Sequence, residues 1–157
     1  MRRQKFKLWH SLLGTAALIV IEGFLVKMIA SSPTAPWFVL IIAAVGAAAT
    51  IYVATEIVEE VRGTPQILLL LSMLTAQFIL FFSFEYGYLL KVEPGSFPTL
   101  SLDLVTLTLH SVMVFVFNPL YLPASGDGRA LLLINTLGAL AFVLFILQNI
   151  WQFRKQV

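Results

Sequence analysis

The sequence predicts an all-α integral membrane protein with four transmembrane helices and a short helix that enters the bilayer between the third and fourth without crossing it. Three observations carry this reading. Of 157 residues, 59% are hydrophobic and 11% charged, and the mean hydropathy is +0.93, whereas soluble domains are roughly half apolar and about a quarter charged. The apolar residues fall largely in runs of the roughly 20 residues that a helix needs to cross a bilayer. One run, Val105 to Phe117, is only about a dozen residues long and leads into Asn118-Pro119. Irregular backbone at membrane depth is tolerated only where protein or water covers it, so this stretch is expected to dip in and return.

The same numbers bound function. A chain of this length has room for four or five spans, and an appended soluble enzyme domain is not expected. The absence of cysteine excludes thiolate metal sites and a cysteine nucleophile. The two histidines, His10 and His110, have no neighbours at metal-site spacing, so neither a metal nor a cofactor is expected. The net charge of +2 comes mostly from basic residues beside predicted spans, a topology signal, so no nucleic-acid partner is implied.

Arg2, Arg3, Lys5 and Lys7 precede an apolar run from Trp9 to Ala30, which is too long for a signal-peptide core and has spanning length. It reads as a retained first helix with a cytoplasmic amino end. Glu22 lies inside it, and an ionisable group at depth faces protein or water and is a candidate functional residue; the structural alternative is a protonated or hydrogen-bonded carboxyl. After Ser31 to Pro36, Trp37 anchors a second span to about Glu56. Its A-A-V-G-A-A-A at 43–49 offers small residues for close helix approach, and Gly63 can close the helix. Residues 1–63 thus form an N-terminal two-helix hairpin.

Residues 64–157 form the second unit. Thr64-Pro65 is a cap followed by proline at the first helical position, and the third span runs to about Leu90. Glu85, Tyr86 and Tyr88 cluster near its outer end, where the re-entrant helix is expected to lie. Lys91 to Ser96 reads as an exposed outer turn. Thr99 or Ser101 is positioned to cap the short helix, with Asp103 in its first turn, where the dipole favours an acid. Asp103, Thr106 and His110 recur at i, i+3 and i+7, a polar stripe that a lipid-facing helix would not carry. The last span runs from Arg129 to about Trp151.

Charge decides the span count. If residues 102–122 crossed fully, Arg154 and Lys155 would be extracytoplasmic, against the positive-inside bias. With this segment re-entrant, both termini are cytoplasmic and hold six of the ten Lys and Arg residues. The expected location is a plasma or inner membrane.

From roughly Pro65 to Phe153, the layout of span, outer turn, short helix, extended return and span resembles the pore module of the tetrameric potassium-channel superfamily. So do T-L-T at 106–108, and P-A-S-G-D-G-R at 123–129, which looks like the family's entry to its inner helix. Gly138 is similar in place to the inner-helix glycine hinge. The resemblance implies a homotetramer around a pore for a monovalent cation. The filter departs from the family: aligned on Pro123, its T-V-G-Y-G-D falls on Phe115, Val116, Phe117, Asn118, Pro119 and Leu120, so both glycines and the threonine are missing. Potassium selectivity needs inward rings of carbonyls, with glycines at positive φ to point them, and Pro119 fixes its own φ.

Three readings follow. The first is a pore-loop channel with its constriction at Phe115 to Pro119, not typically potassium-selective, or gated by exclusion of water. The second is a non-conducting accessory subunit retaining the scaffold. The third, a small intramembrane carrier or enzyme using Glu22, Glu85, Asp103 and His110, has no Ser-His pairing, no H-E-x-x-H, no phosphate loop and no internal repeat behind it.

Overall fold

The computed structural model describes residues 35–60 and 64–154. The first predicted span with Glu22, the basic residues at 2–7, Lys155, and Gly63 lie outside the described residues. Four helices are present among the described residues: α1 (Ala35–Glu60), α2 (Thr64–Val92), α3 (Leu104–Phe115) and α4 (Gly126–Arg154). No strand occurs among the described residues. Three helices contain stretches long and apolar enough to cross a membrane, Pro36–Thr55, Gln66–Val92 and Gly126–Gln148, whereas α3 is short.

The helix starts differ from the predicted ones for local reasons. Asp103 is the N-cap of α3 instead of a first-turn residue: its Oδ1 accepts the Thr106 N–H at 2.8 Å, which makes this carboxylate, not Thr99 or Ser101, the group that starts the helix. α4 begins at Gly126, ahead of Arg129, because Ser125 caps it. The Ser125 Oγ accepts the Gly128 N–H at 3.0 Å, and the Arg129 N–H bonds the Ser125 carbonyl at 3.2 Å.

α1 packs along α4 and also on α2, and α2 packs on α3. Small residues set the spacing. Ala43 and Ala47 on α1 are buried, and the Phe81 ring of α2 sits over Gly46. Gly138 of α4 is a buried notch receiving Phe78 and facing Ala47, within an unbroken helix. Several Ser and Thr hydroxyls on the long helices are satisfied within their own turns: Thr50 bonds the Gly46 carbonyl, Thr75 that of Leu71, Ser83 that of Ile79 and Thr136 that of Leu132. This is how a polar side chain is accommodated without a partner helix.

The turn after α2 corrects one expectation. Lys91, Pro94 and Gly95 are exposed, but Ser96, Phe97 and Leu100 are buried. Phe97 is drawn in because its ring packs edge-on against Tyr86 and His110, and aromatic burial of this kind outweighs the exposure of its polar neighbours.

Candidate functional site

The candidate site is the excursion from residue 93 to residue 128, built on α3. Its base is closed by two contacts. The Ala124 N–H bonds the Ser96 carbonyl at 2.8 Å, and the Ser125 Oγ donates to Glu93 Oε2 at 2.9 Å. The segment entering α3 and the segment returning from it therefore sit at the same end of the bundle. Gly128 allows this closeness, since a Cβ there would lie 3.0 Å from the Ser96 oxygen.

From this base α3 runs antiparallel to α2 for 12 residues, about 18 Å at 1.5 Å per residue. Its buried face is Leu107, His110, Ser111 and Val114, the i, i+3, i+4, i+7 spacing of one helical side. Leu107 lies over Gly87 of α2, whose missing side chain makes room for it. At its far end, Phe115 packs against Phe78 and Phe142 at centroid distances of 5.9 and 6.2 Å. Phe78 and Phe142 belong to the middle parts of α2 and α4, so α3 ends about halfway along the bundle.

The helix stops in a Schellman turn. The Phe117 N–H bonds the Val114 carbonyl at 2.9 Å and the Asn118 N–H bonds that of Met113 at 2.8 Å, the pair of bonds that defines the motif. The residue at the turn is usually glycine because φ must be positive. Here it is Phe117, with φ 61°, the only non-glycine residue with positive φ among those described.

The predicted constriction thus divides. Phe115 is a packing residue on the bundle side. Val116, Phe117 and Asn118 are exposed at the tip, and Pro119 is half-buried. Leu120 and Leu122, on the return, are exposed as well. The polar stripe also divides: Asp103 is exposed at the cap, Thr106 is half-buried and His110 is fully buried. The Asp103 carboxyl is lowered to about 2, first by the Ser101 hydroxyl, which donates to it at 2.6 Å, then by the bonds from Thr106. Glu85 is buried on α2.

His110 is the centre of an aromatic group not legible as such in sequence. Tyr86 of α2, Phe97 of the outer turn and Tyr121 of the return surround it at centroid distances of 4.6, 5.6 and 5.5 Å, all edge-to-face. Asn135 of α4 reaches Tyr86, its Nδ2 donating to the phenol oxygen at 3.2 Å. Neither nitrogen of His110 has a hydrogen-bond partner, nor does the buried Ser111 hydroxyl. Asn135 had a signal, since it and Thr136 are the two polar side chains between Arg129 and Gln148.

Among the described residues, no group of His, Cys, Asp and Glu is placed to hold a metal. No protein-family model, curated protein or solved structure matches the chain.

Proposed function

We propose that the protein is a pore-loop membrane protein of ion-channel type, with four spans, α3 as the re-entrant helix, both termini cytoplasmic, and four copies around a common axis in a plasma or inner membrane. The observation that carries this is the tied excursion: a 12-residue apolar helix closed at its base by the bond between Ala124 and Ser96 and ending halfway along the bundle. A path of about 18 Å falls short of the roughly 30 Å hydrocarbon thickness. The return segment exposes Val116 to Asn118, Leu120 and Leu122, and irregular backbone at that depth requires cover from protein or a water-filled passage. Copies of the chain provide both. Exposed Leu133, Leu137, Leu140 and Leu144 on α4 suit contact with lipid.

In this reading Val116 and Phe117 narrow the passage and Asn118 offers an amide oxygen to a monovalent cation. The negative end of the α3 dipole lies at the same point. Without filter glycines the passage conducts weakly, with little preference for potassium over sodium, and a ring of aromatic side chains excludes water until it is enlarged. Phe117→Ala is expected to raise flux, and Asn118→Asp to favour cations over anions. The test is purified protein in liposomes under sodium, potassium and chloride gradients, with native mass spectrometry for the tetramer. Cysteines at the exposed Gly95 and Ala124 in intact cells must both react with an impermeant reagent, since labelling of only one means a full crossing.

The exposed apolar tip favours a second reading, a non-conducting accessory subunit in which Val116, Phe117 and Leu120 meet a partner. That reading holds if the wild type and both variants remain as tight as empty vesicles while the tetramer is intact.

A further inference from the structure

Among the buried titratable groups of the described residues, His110 is the histidine, and the proposed passage does not use it. His110 is 0% exposed, makes no hydrogen bond through either nitrogen, and touches three separate parts of the chain through Tyr86, Phe97 and Tyr121. Leaving both nitrogens of an imidazole unpaired is costly, and a packing role alone would be served better by an apolar ring. Of the three contacts, Tyr121 belongs to the irregular return, whose hydrogen bonds lie at its two ends, from the Asn118 N–H to Met113 and through Ala124 and Ser125.

We propose that His110 is a proton-responsive latch: neutral, it holds the return segment against α2 and the outer turn through Tyr121, and on taking up a proton it leaves this aromatic enclosure and frees the return segment.

The groups facing it from each neighbouring element fix the direction. α2 presents Tyr86, with buried Glu85 and Tyr88 on adjoining positions; the outer turn presents Phe97, while its Glu93 is engaged by Ser125. The return presents Tyr121. α4 reaches the cluster through Asn135 and Tyr86, and its Asp127 and Arg129 lie in its first turn, eight and six residues before Asn135 by number. On α3, Asp103 is at the exposed cap, nearly two turns away. No carboxylate bonds the imidazole. The imidazole is enclosed by three aromatic rings, and cation–π attraction is smaller than the cost of stripping an ion of water without an acceptor. The charged form is therefore stable only after the ring reaches water, which requires Tyr121 to move.

The inference concerns the motion of residues 119–122 and stands apart from ion passage. The chain lacks cysteine, so one nitroxide can be placed by Leu122→Cys, a position 72% exposed. In full-length protein in lipid nanodiscs, the mobile fraction of the spectrum is expected to rise several-fold, with single-proton dependence, as the pH falls from about 7 to about 3.5, a window set low because the enclosure disfavours the charged ring. His110→Phe and His110→Gln, either of which suffices if the other does not fold, are expected to hold the label immobile throughout. A label at Leu137→Cys on α4 is expected to report no change in any of them. A wild-type spectrum constant over this range, or the same transition in a His110 variant, overturns the latch.

Discussion

The Phe81 ring fills the space beside Gly46 so closely that a Cβ built on the glycine would overlap its Cζ. α1 and α2 therefore meet ring against backbone, and no ordinary side chain fits between them. Gly46→Ala is expected to lower stability by about 1–3 kcal/mol, the range for overpacking a filled core, read as thermal unfolding in detergent. Phe81→Leu in the same chain is expected to recover part of the loss. Gly95→Ala, with open space around it, is the comparison that stays unchanged.

Ser125 joins two structures with one hydroxyl, capping α4 through the Gly128 N–H and donating to Glu93. Ser125→Ala is expected to cost about 1 kcal/mol for the cap. Ser125→Asp keeps the cap but sets a carboxylate against Glu93, so it is expected to restore less than Ser125→Thr does. Hydrogen exchange of the Gly128 and Arg129 amides separates the two effects.

Asp103 gives the α3 cap an acid dependence. Its carboxyl is lowered to about 2 from an ordinary 3.8, so in the folded state the charged form is favoured. The stabilisation this gives is complete above 3.8 and is lost as the pH falls through about 2. Amides at the start of α3 are expected to lose exchange protection over that window in the wild type, and Asp103→Asn is expected to reduce the dependence. Loss of protection at higher pH, unaltered in Asp103→Asn, would assign it to another group.

The helices were legible because apolar run length is a property of sequence, and the shortness of α3 was legible in the same way. Which faces are buried was not. α1 and α4 are apolar around most of their circumference, so no periodicity distinguishes the side bearing Ala43 and Ala47 from the side bearing Val45. Phe115 read as part of a constriction because alignment on Pro123 places it there, yet packing on Phe78 and Phe142 depends on contacts far apart in the chain. The enclosure of His110 draws on residues 86, 97 and 121, a grouping no local spacing encodes. Gly138 read as a hinge by position, and its contact with Phe78 gives it a packing role that spacing alone does not reveal.

Phe117 occupies a turn position that suits glycine. Phe117→Gly is expected to stabilise the end of α3 by about 1 kcal/mol, the cost of a left-handed conformation for a residue with a Cβ. Phe117→Val is expected to do the reverse, since a branched Cβ tolerates that region least. Unfolding temperatures in one detergent test both. Equal stability for all three would mean that the turn is absent in the membrane-mimetic state.

The walls around α3 come from both sides of it in the chain: Phe78 and Tyr86 are made before it, whereas Tyr121, Asn135 and Phe142 follow. During synthesis, then, α3 emerges into a half-built socket and cannot seat fully until α4 has left the ribosome. A nascent chain arrested at residue 125 leaves the Phe142 side of Phe115 open, so the seating of the short helix, begun on α2, is completed only when the last helix arrives.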